Sequence, residues 1–233
     1  MARTISIQAG DGSGSFSAYV TEPRVTPAGT VVLIQEIFGV NQAMRDAAAW
    51  VADLGFRAVC PDLFWRIESG VDITDKTDAE WKKAFELFNM FDQQKGIEDI
   101  KETLQAARKL PGCNGKVGTM GYCLGGRLAV MMAEQFDADA NISYYGVGLD
   151  NLLSDLDKIT RPLVIHIAGQ DEFFPADGRN KVIEATKKQR NIACYVYPNA
   201  NHAFARVGGV HWDGRSAAIA NGRSAEALVA ALG

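Results

Sequence analysis

Lys116-Val117-Gly118-Thr119-Met120-Gly121-Tyr122-Cys123-Leu124-Gly125-Gly126-Arg127 decides the fold. A short apolar run ends in Gly-x-Cys-x-Gly, and Arg127-Leu128-Ala129-Val130-Met131-Met132-Ala133 then starts a helix. Strand, glycine-flanked residue and helix in that order form the nucleophile-elbow pattern, with cysteine where serine is usual. Gly121 and Gly125 flank a turn too sharp for side chains, so the central residue takes a strained conformation. Cys123 is thereby pushed off the sheet edge at the start of a helix, whose free amides favour negative charge and stabilise an oxyanion. A small buried cysteine in a glycine-rich turn is the plainer alternative. The presence of both the flanking strand and the helix favours the nucleophile.

Working outward, further continuous apolar runs lie at Val31-Val32-Leu33-Ile34, Ala58-Val59-Cys60 and Leu163-Val164-Ile165-His166-Ile167, with an alternating strand at Ala193-Cys194-Tyr195-Val196-Tyr197. Helical patterns separate them at 42–54, 79–109 in two pieces, 125–136, 175–189 and 213–232. Continuous apolar strands divided by helices predict an α/β fold, a mostly parallel sheet covered on both faces. Thr4-Ile5-Ser6-Ile7 and Phe16-Ser17-Ala18-Tyr19-Val20 alternate around Gly10-Asp11-Gly12-Ser13-Gly14, which predicts an antiparallel N-terminal hairpin at an edge. At 233 residues, with no repeat or linker, one domain spanning 1–233 is expected. Residues 62–78 have no clean period and read as a lid-like insertion, a pocket wall or a surface excursion.

Composition narrows the function. A net charge of −4 gives no electrostatic case for nucleic acid or anionic membrane, and no run approaches 18 apolar residues. No signal-like h-region follows Met1, so a cytoplasmic protein with free thiols is expected. The cysteines lack C-x-x-C spacing, so neither a zinc ribbon nor a thioredoxin motif is expected. Only three histidines are available to act as a base. His166 lies inside a strand, where a packed histidine is expected, and His211 stands beside a helix start. His202 lies in the loop after the strand ending at Tyr197-Pro198, where function gathers in open α/β sheets. Asp171, just past the strand Pro162–Ala168, is the carboxylate expected to orient it, with Glu172 as the rival. An ordinary turn aspartate is the plainer reading. The order Cys123, Asp171, His202 is that of nucleophile, acid and histidine in α/β-hydrolases.

At these residues the chain resembles the dienelactone hydrolase family. The similarity runs through Gln35-Glu36-Ile37-Phe38-Gly39-Val40-Asn41, Cys60-Pro61-Asp62-Leu63, Gly121-Tyr122-Cys123-Leu124-Gly125-Gly126, Tyr144-Tyr145-Gly146-Val147-Gly148 and Gly169-Gln170-Asp171. The resemblance implies an α/β-hydrolase fold and hydrolysis of an enol-lactone by a Cys-His-Asp triad, here Cys123, His202 and Asp171, without a cofactor. It also implies that Glu36 sits beside the thiol and gates its activation, and that the amides of Leu124 and Ile37 form the oxyanion hole. Arg206 matches one of two family arginines that hold a substrate carboxylate. Where the second arginine and a tyrosine are expected, this chain has Trp81 and Phe85. With Phe38 and Tyr145 these complete the expected substrate-binding set. Trp81, Phe85 and Phe88, spaced +4 and +3, read either as a core-facing helix stripe or as a pocket wall for a more apolar substrate. The expected partner is a small ester or lactone that can bear a carboxylate, acted on by a monomer. A carboxylesterase of different specificity, a thiol redox sensor and an inactive binding module are the competing readings.

Overall fold

The computed structural model describes residues 2–233, and in it every apolar run named above becomes a strand of one eight-stranded sheet. The strands are β1 (Ala2–Gln8), β2 (Ser15–Thr21), β3 (Ala28–Ile34), β4 (Arg57–Pro61), β5 (Cys113–Tyr122), β6 (Asn141–Tyr144), β7 (Leu163–Ala168) and β8 (Ile192–Tyr197). Their spatial order is β1-β2-β4-β3-β5-β6-β7-β8, with β1 and β2 antiparallel and β3 to β8 parallel. The hairpin is therefore an edge, as its alternation requires, and β3, β4 and β7 are buried along their whole length.

Six helices cover the two faces: α1 (Gln42–Asp53), α2 (Asp78–Met90), α3 (Gln93–Arg108), α4 (Leu124–Gln135), α5 (Ala176–Thr186) and α6 (Gly214–Leu232). Local chemistry sets their starts. Asn41, Thr77, Asp92 and Asp213 each accept backbone amide bonds from the first turn that follows them. One core lies between the sheet and α3 with α4, built on Val32, Ile34, Ile97, Ile100 and Leu128. A second lies under α1 and α6, built on Val31, Leu33, Ala48, Val51 and Leu228, and a third is built on Val130, Ile165, Ile167 and Val182.

Two features depart from the sequence reading. β6 is a full strand of the sheet although Asn141-Ile142-Ser143-Tyr144 has no apolar run, because its polar members are buried between neighbours. Thr119 Oγ1 donates to Asn141 Oδ1 at 2.6 Å across β5 and β6. Residues 149–158 also form two short 3-10 turns where no helix was expected. The 62–78 segment is fastened at several points. Gly39 bridges to Asp72, Asn41 Nδ2 donates to Ile73 O, and Arg66 pairs with Asp99 at 2.8 Å. The effect of this topology is to align the carboxyl ends of β3, β5, β7 and β8, which lead into Glu36, Cys123, Asp171 and His202 respectively.

Candidate active site

The turn at Cys123 can be built only with glycine around it. A Cβ on Gly121 would lie 1.9 Å from Gly125 O, and one on Gly125 would lie 2.2 Å from Ile34 O. β5 and α4 therefore approach until backbone touches backbone, and the intervening residue absorbs the bend. Cys123 does so at φ 55°, ψ −114°, a strained conformation for a residue with a side chain, at the N-cap of α4. Its amide donates to Tyr144 O at 3.0 Å and its carbonyl accepts from Arg127 N at 3.1 Å, which fixes the strained residue at both ends.

His202 lies buried in the loop after β8, with Nδ1 2.8 Å from Asp171 Oδ2. Asp171 is itself held by amide donation from Phe173 at 2.9 Å and Phe174 at 3.2 Å onto its other oxygen, Oδ1. With Nδ1 committed to the carboxylate, Nε2 is the ring nitrogen left for chemistry. Burial alone would lower the pKa of the imidazole. The electrostatic influence of Cys123, reinforced by Asp171, outweighs burial and pushes His202 up to about 10. The rings of Tyr145 and Phe173 stand edge-on to the imidazole, at 5.2 and 5.0 Å between centroids.

The third cluster centres on Arg206, which is 7% exposed. Its Nε lies 2.7 Å from Glu36 Oε2 and its Nη1 lies 2.5 Å from Asp75 Oδ2. Burial works against the guanidinium charge, but the surrounding negative groups, Glu36 foremost, raise its pKa still further. The other oxygen of Glu36, Oε1, is buried without a hydrogen-bond partner. Asp75 had no signal in the sequence, since it sits in the aperiodic 62–78 segment. Among the described residues, the amides of Ile37 and Leu124 donate to no backbone acceptor, and both residues line the cavity.

That cavity, about 330 Å³, is bounded by Cys123, Leu124, Ile37, His202 and Arg206, with Phe38, Trp81, Phe85, Phe88 and Phe173 making an aromatic wall. Trp81 stacks on Phe85 at 5.5 Å and meets Phe38 edge-on at 5.1 Å. Trp81, Phe85 and Phe88 thus all border the cavity, and Trp81 also packs against the core. Trp81 Nε1 donates to Asp75 O, which ties the wall to the 62–78 segment. Tyr145 is not on this cavity. It is buried with its hydroxyl unpartnered and borders a second cavity with Glu36, Trp50 and Tyr122. Of the other histidines, His166 is a buried member of the sheet and His211 Nδ1 lies 3.2 Å from His202 O. Glu172, the rival carboxylate, borders an adjoining cavity and makes no contact with the His202 ring nitrogens. Among the described residues, no three His, Cys, Asp or Glu side chains group to hold a metal ion, and no helix is long and apolar enough to cross a membrane.

A parallel sheet preceded by an antiparallel hairpin, with a strained residue at a strand-to-helix elbow, is an α/β-hydrolase fold. Comparison with known proteins then fixes the family. The profile of the dienelactone hydrolase family matches residues 16–231, and the chain belongs to that family. A protein of Azospirillum brasilense with a provisional carboxymethylenebutenolidase name is 52% identical over 95% of each chain. The carboxymethylenebutenolidase of Pseudomonas putida is 38% identical over 96% of this chain and 94% of its own. A provisionally named dienelactone hydrolase of Klebsiella pneumoniae superposes with a TM-score of 0.84 at 21% identity, covering 98% of this chain and 99% of the other, a likeness of fold. The protein is accordingly a dienelactone hydrolase-like hydrolase of ester or lactone bonds.

Proposed function

We propose that the protein hydrolyses an activated ester or enol-lactone through a thioester on Cys123, with His202 and Asp171 completing a triad. The observation that supports this most is the buried His202–Asp171 pair at 2.8 Å bordering the same cavity as the elbow cysteine. The Cys123 thiolate attacks the carbonyl carbon, and the new oxyanion is met by the amides of Leu124 and Ile37. Collapse expels the alkoxide or enolate, which takes the proton from the His202 imidazolium. Acylation removes the thiolate charge that held that proton, so the imidazole is then free to act as a base. It withdraws a proton from water, and the hydroxide attacks the thioester, releasing the acid and restoring thiolate and imidazolium. Asp171 keeps the ring in one tautomer throughout. A thiolate leaves more readily than an unactivated alkoxide, which is why enol and aryl leaving groups suit this site and amides do not.

In this reading Glu36 tunes the thiol. Its pairing with Arg206 favours a positioning role for that arginine over direct capture of a substrate carboxylate, because two carboxylates already occupy it. The aromatic wall of Phe38, Trp81 and Phe85 favours an apolar or aromatic group beside the reacting carbonyl. Turnover of p-nitrophenyl acetate, abolished stoichiometrically by iodoacetamide, is the expected result. Cys123→Ala and His202→Ala are each expected to lose at least about a thousandfold in kcat. Unchanged turnover in both variants would overturn the assignment. A disulfide formed on Cys123 with peroxide, in a protein without esterase activity, would support the redox reading instead.

A further inference from the structure

A second cavity, about 350 Å³, adjoins the one that holds Cys123 and is built from different segments. His202, Arg206, Trp81, Phe85 and Phe173 border both, so they stand between the two. Cys123 and the residues Leu124 and Ile37 border only the first. The far wall of the second is Val210 and His211, from the loop after His202. Backbone contacts order this wall. Ala203 has φ 63°, left-handed for a residue with a side chain, so the chain bends sharply directly after His202. Asp213 N then donates to Phe204 O at 3.0 Å and closes the loop on itself. Val210 N donates to Asp75 Oδ2 at 3.1 Å, and His211 Nδ1 donates to His202 O at 3.2 Å. With that proton committed, Nε2 of a neutral His211 is left as an acceptor.

Reaction geometry gives the two cavities different contents. The tetrahedral carbon formed on Cys123 carries sulfur, oxyanion, acyl carbon and the oxygen of the leaving alcohol or phenol. The oxyanion turns toward Leu124 and Ile37, whereas the leaving oxygen must reach His202 to take its proton. The acyl part therefore stays in the cavity that holds Cys123, and the leaving part lies beyond His202, in the second. Once that product departs, the space is open to another hydroxyl compound while the thioester persists. The onward step is favourable, because a thiolate leaves more readily than an alkoxide. An alcohol adduct on the thioester thus collapses toward ester rather than back. The stacked rings of Trp81 and Phe173, 6.1 Å between centroids, offer aromatic faces to whatever enters.

We propose that the second cavity is an acceptor site for aralkyl alcohols, which makes the protein an acyltransferase as well as a hydrolase. This rests on the thioester reading above and adds to it an acceptor class and the residues that select it. The alcohol oxygen attacks the thioester carbon, and its proton passes to His202 Nε2. The carbon–sulfur bond then breaks, giving the new ester and returning Cys123 and His202 to the thiolate and imidazolium. Phe173 and Trp81 hold the aromatic ring, and Val210 closes the far end of the cavity.

The test uses p-nitrophenyl acetate as donor and either benzyl alcohol or methanol as acceptor. The two alcohols are of nearly equal acidity, so a preference between them reports binding. Product ratios are set after p-nitrophenol has left and do not depend on the rate of acylation. At equal alcohol concentrations, wild type is expected to form benzyl acetate about tenfold faster than methyl acetate, or better. Val210→Trp, which fills the far end, is expected to lower the ratio of benzyl acetate to acetate about tenfold. The ratio of methyl acetate to acetate should stay unchanged in that variant. Phe173→Ala removes an aromatic face and is expected to lower the benzyl ratio several-fold. Equal transfer to both alcohols in wild type overturns the proposal. So does a benzyl ratio that Val210→Trp leaves unchanged or lowers only in step with the methyl ratio. Should that variant not fold, as judged by circular dichroism, an unchanged benzyl ratio in Phe173→Ala overturns it equally. If wild type releases no p-nitrophenol, the esterase reading fails, and binding decides the cavity separately. Benzyl alcohol is expected to shift the His211 ring signals by NMR in wild type and not in Val210→Trp; no shift in wild type overturns the site.

Discussion

Cys123 is the foremost of the groups that raise His202, so removing its sulfur should return the imidazole toward its ordinary value. NMR titration of the His202 ring is expected to give a pKa lower in Cys123→Ala than the value of about 10 in the intact protein, and equal values in the two would exclude a thiolate–imidazolium pair. The sign follows from what remains: with the sulfur gone, burial, which favours the neutral ring, is opposed by Asp171 alone. At the same elbow, Gly125→Ala would drive a methyl carbon to 2.2 Å from Ile34 O. Neither carbonyl nor helix can withdraw without separating α4 from β3, so loss of more than about 3 kcal/mol in urea unfolding is expected. A loss under about 1 kcal/mol would show that the elbow is not so tightly built. The pattern Gly-x-Cys-x-Gly made both the elbow cysteine and its glycines legible in sequence, because this contact is local in the chain.

At the scale of elements, β7, β8 and α6 are joined by a buried polar network. His166 Nδ1 lies 2.9 Å from the Tyr197 hydroxyl and Nε2 lies 2.9 Å from Ser224 Oγ, which in turn lies 2.7 Å from the Tyr144 hydroxyl. Burial, helped by the nearby Arg223 charge, pushes His166 down to about 3, so it stays neutral in the folded protein. The unfolded chain binds a proton near pH 6.5 that the folded chain refuses, so this contribution is complete above that pH and is lost as pH falls toward 3. Between pH 6.5 and 5 the loss is about 2 kcal/mol, one pH unit being worth about 1.4 kcal/mol. Urea midpoints at pH 7 and 5 should therefore converge in His166→Gln relative to wild type, and parallel pH dependences would remove His166 as the cause. The strand position of His166 was readable from the run Leu163–Ile167, and so was its packed role. β6 was not readable, because Asn141 and Ser143 are polar by composition and buried only through their neighbours in the sheet. A propensity that counts apolar residues has no access to a hydrogen bond made across strands 22 residues apart.

For the whole molecule, Arg206 is where three separate stretches of chain meet. Its own loop carries His202, Glu36 follows β3, and Asp75 comes from the 62–78 segment, whose other anchors are Arg45–Asp72 and Arg66–Asp99. The sequence marked Arg206 as a pocket residue and 62–78 as an insertion, but not that one is the fastening of the other. The reason is that an ion pair between positions 75 and 206 leaves no periodic trace. Removing one member of a buried ion cluster strands the rest, which typically costs 3–5 kcal/mol, roughly, whereas replacing the whole set can be nearly neutral. Arg206→Met is therefore expected to lose about 3–5 kcal/mol by urea unfolding, leaving Glu36 and Asp75 buried together without a cation. Adding Glu36→Gln and Asp75→Asn to that variant should restore a substantial part of the loss, because the stranded charges go with the cation. Limited proteolysis should cut first within 62–78 in the single variant and no longer do so in the triple. If Arg206→Met alone unfolds within about 0.5 kcal/mol of wild type, the segment is held by its other anchors, and Arg206 has no structural duty to set against its place on the cavity.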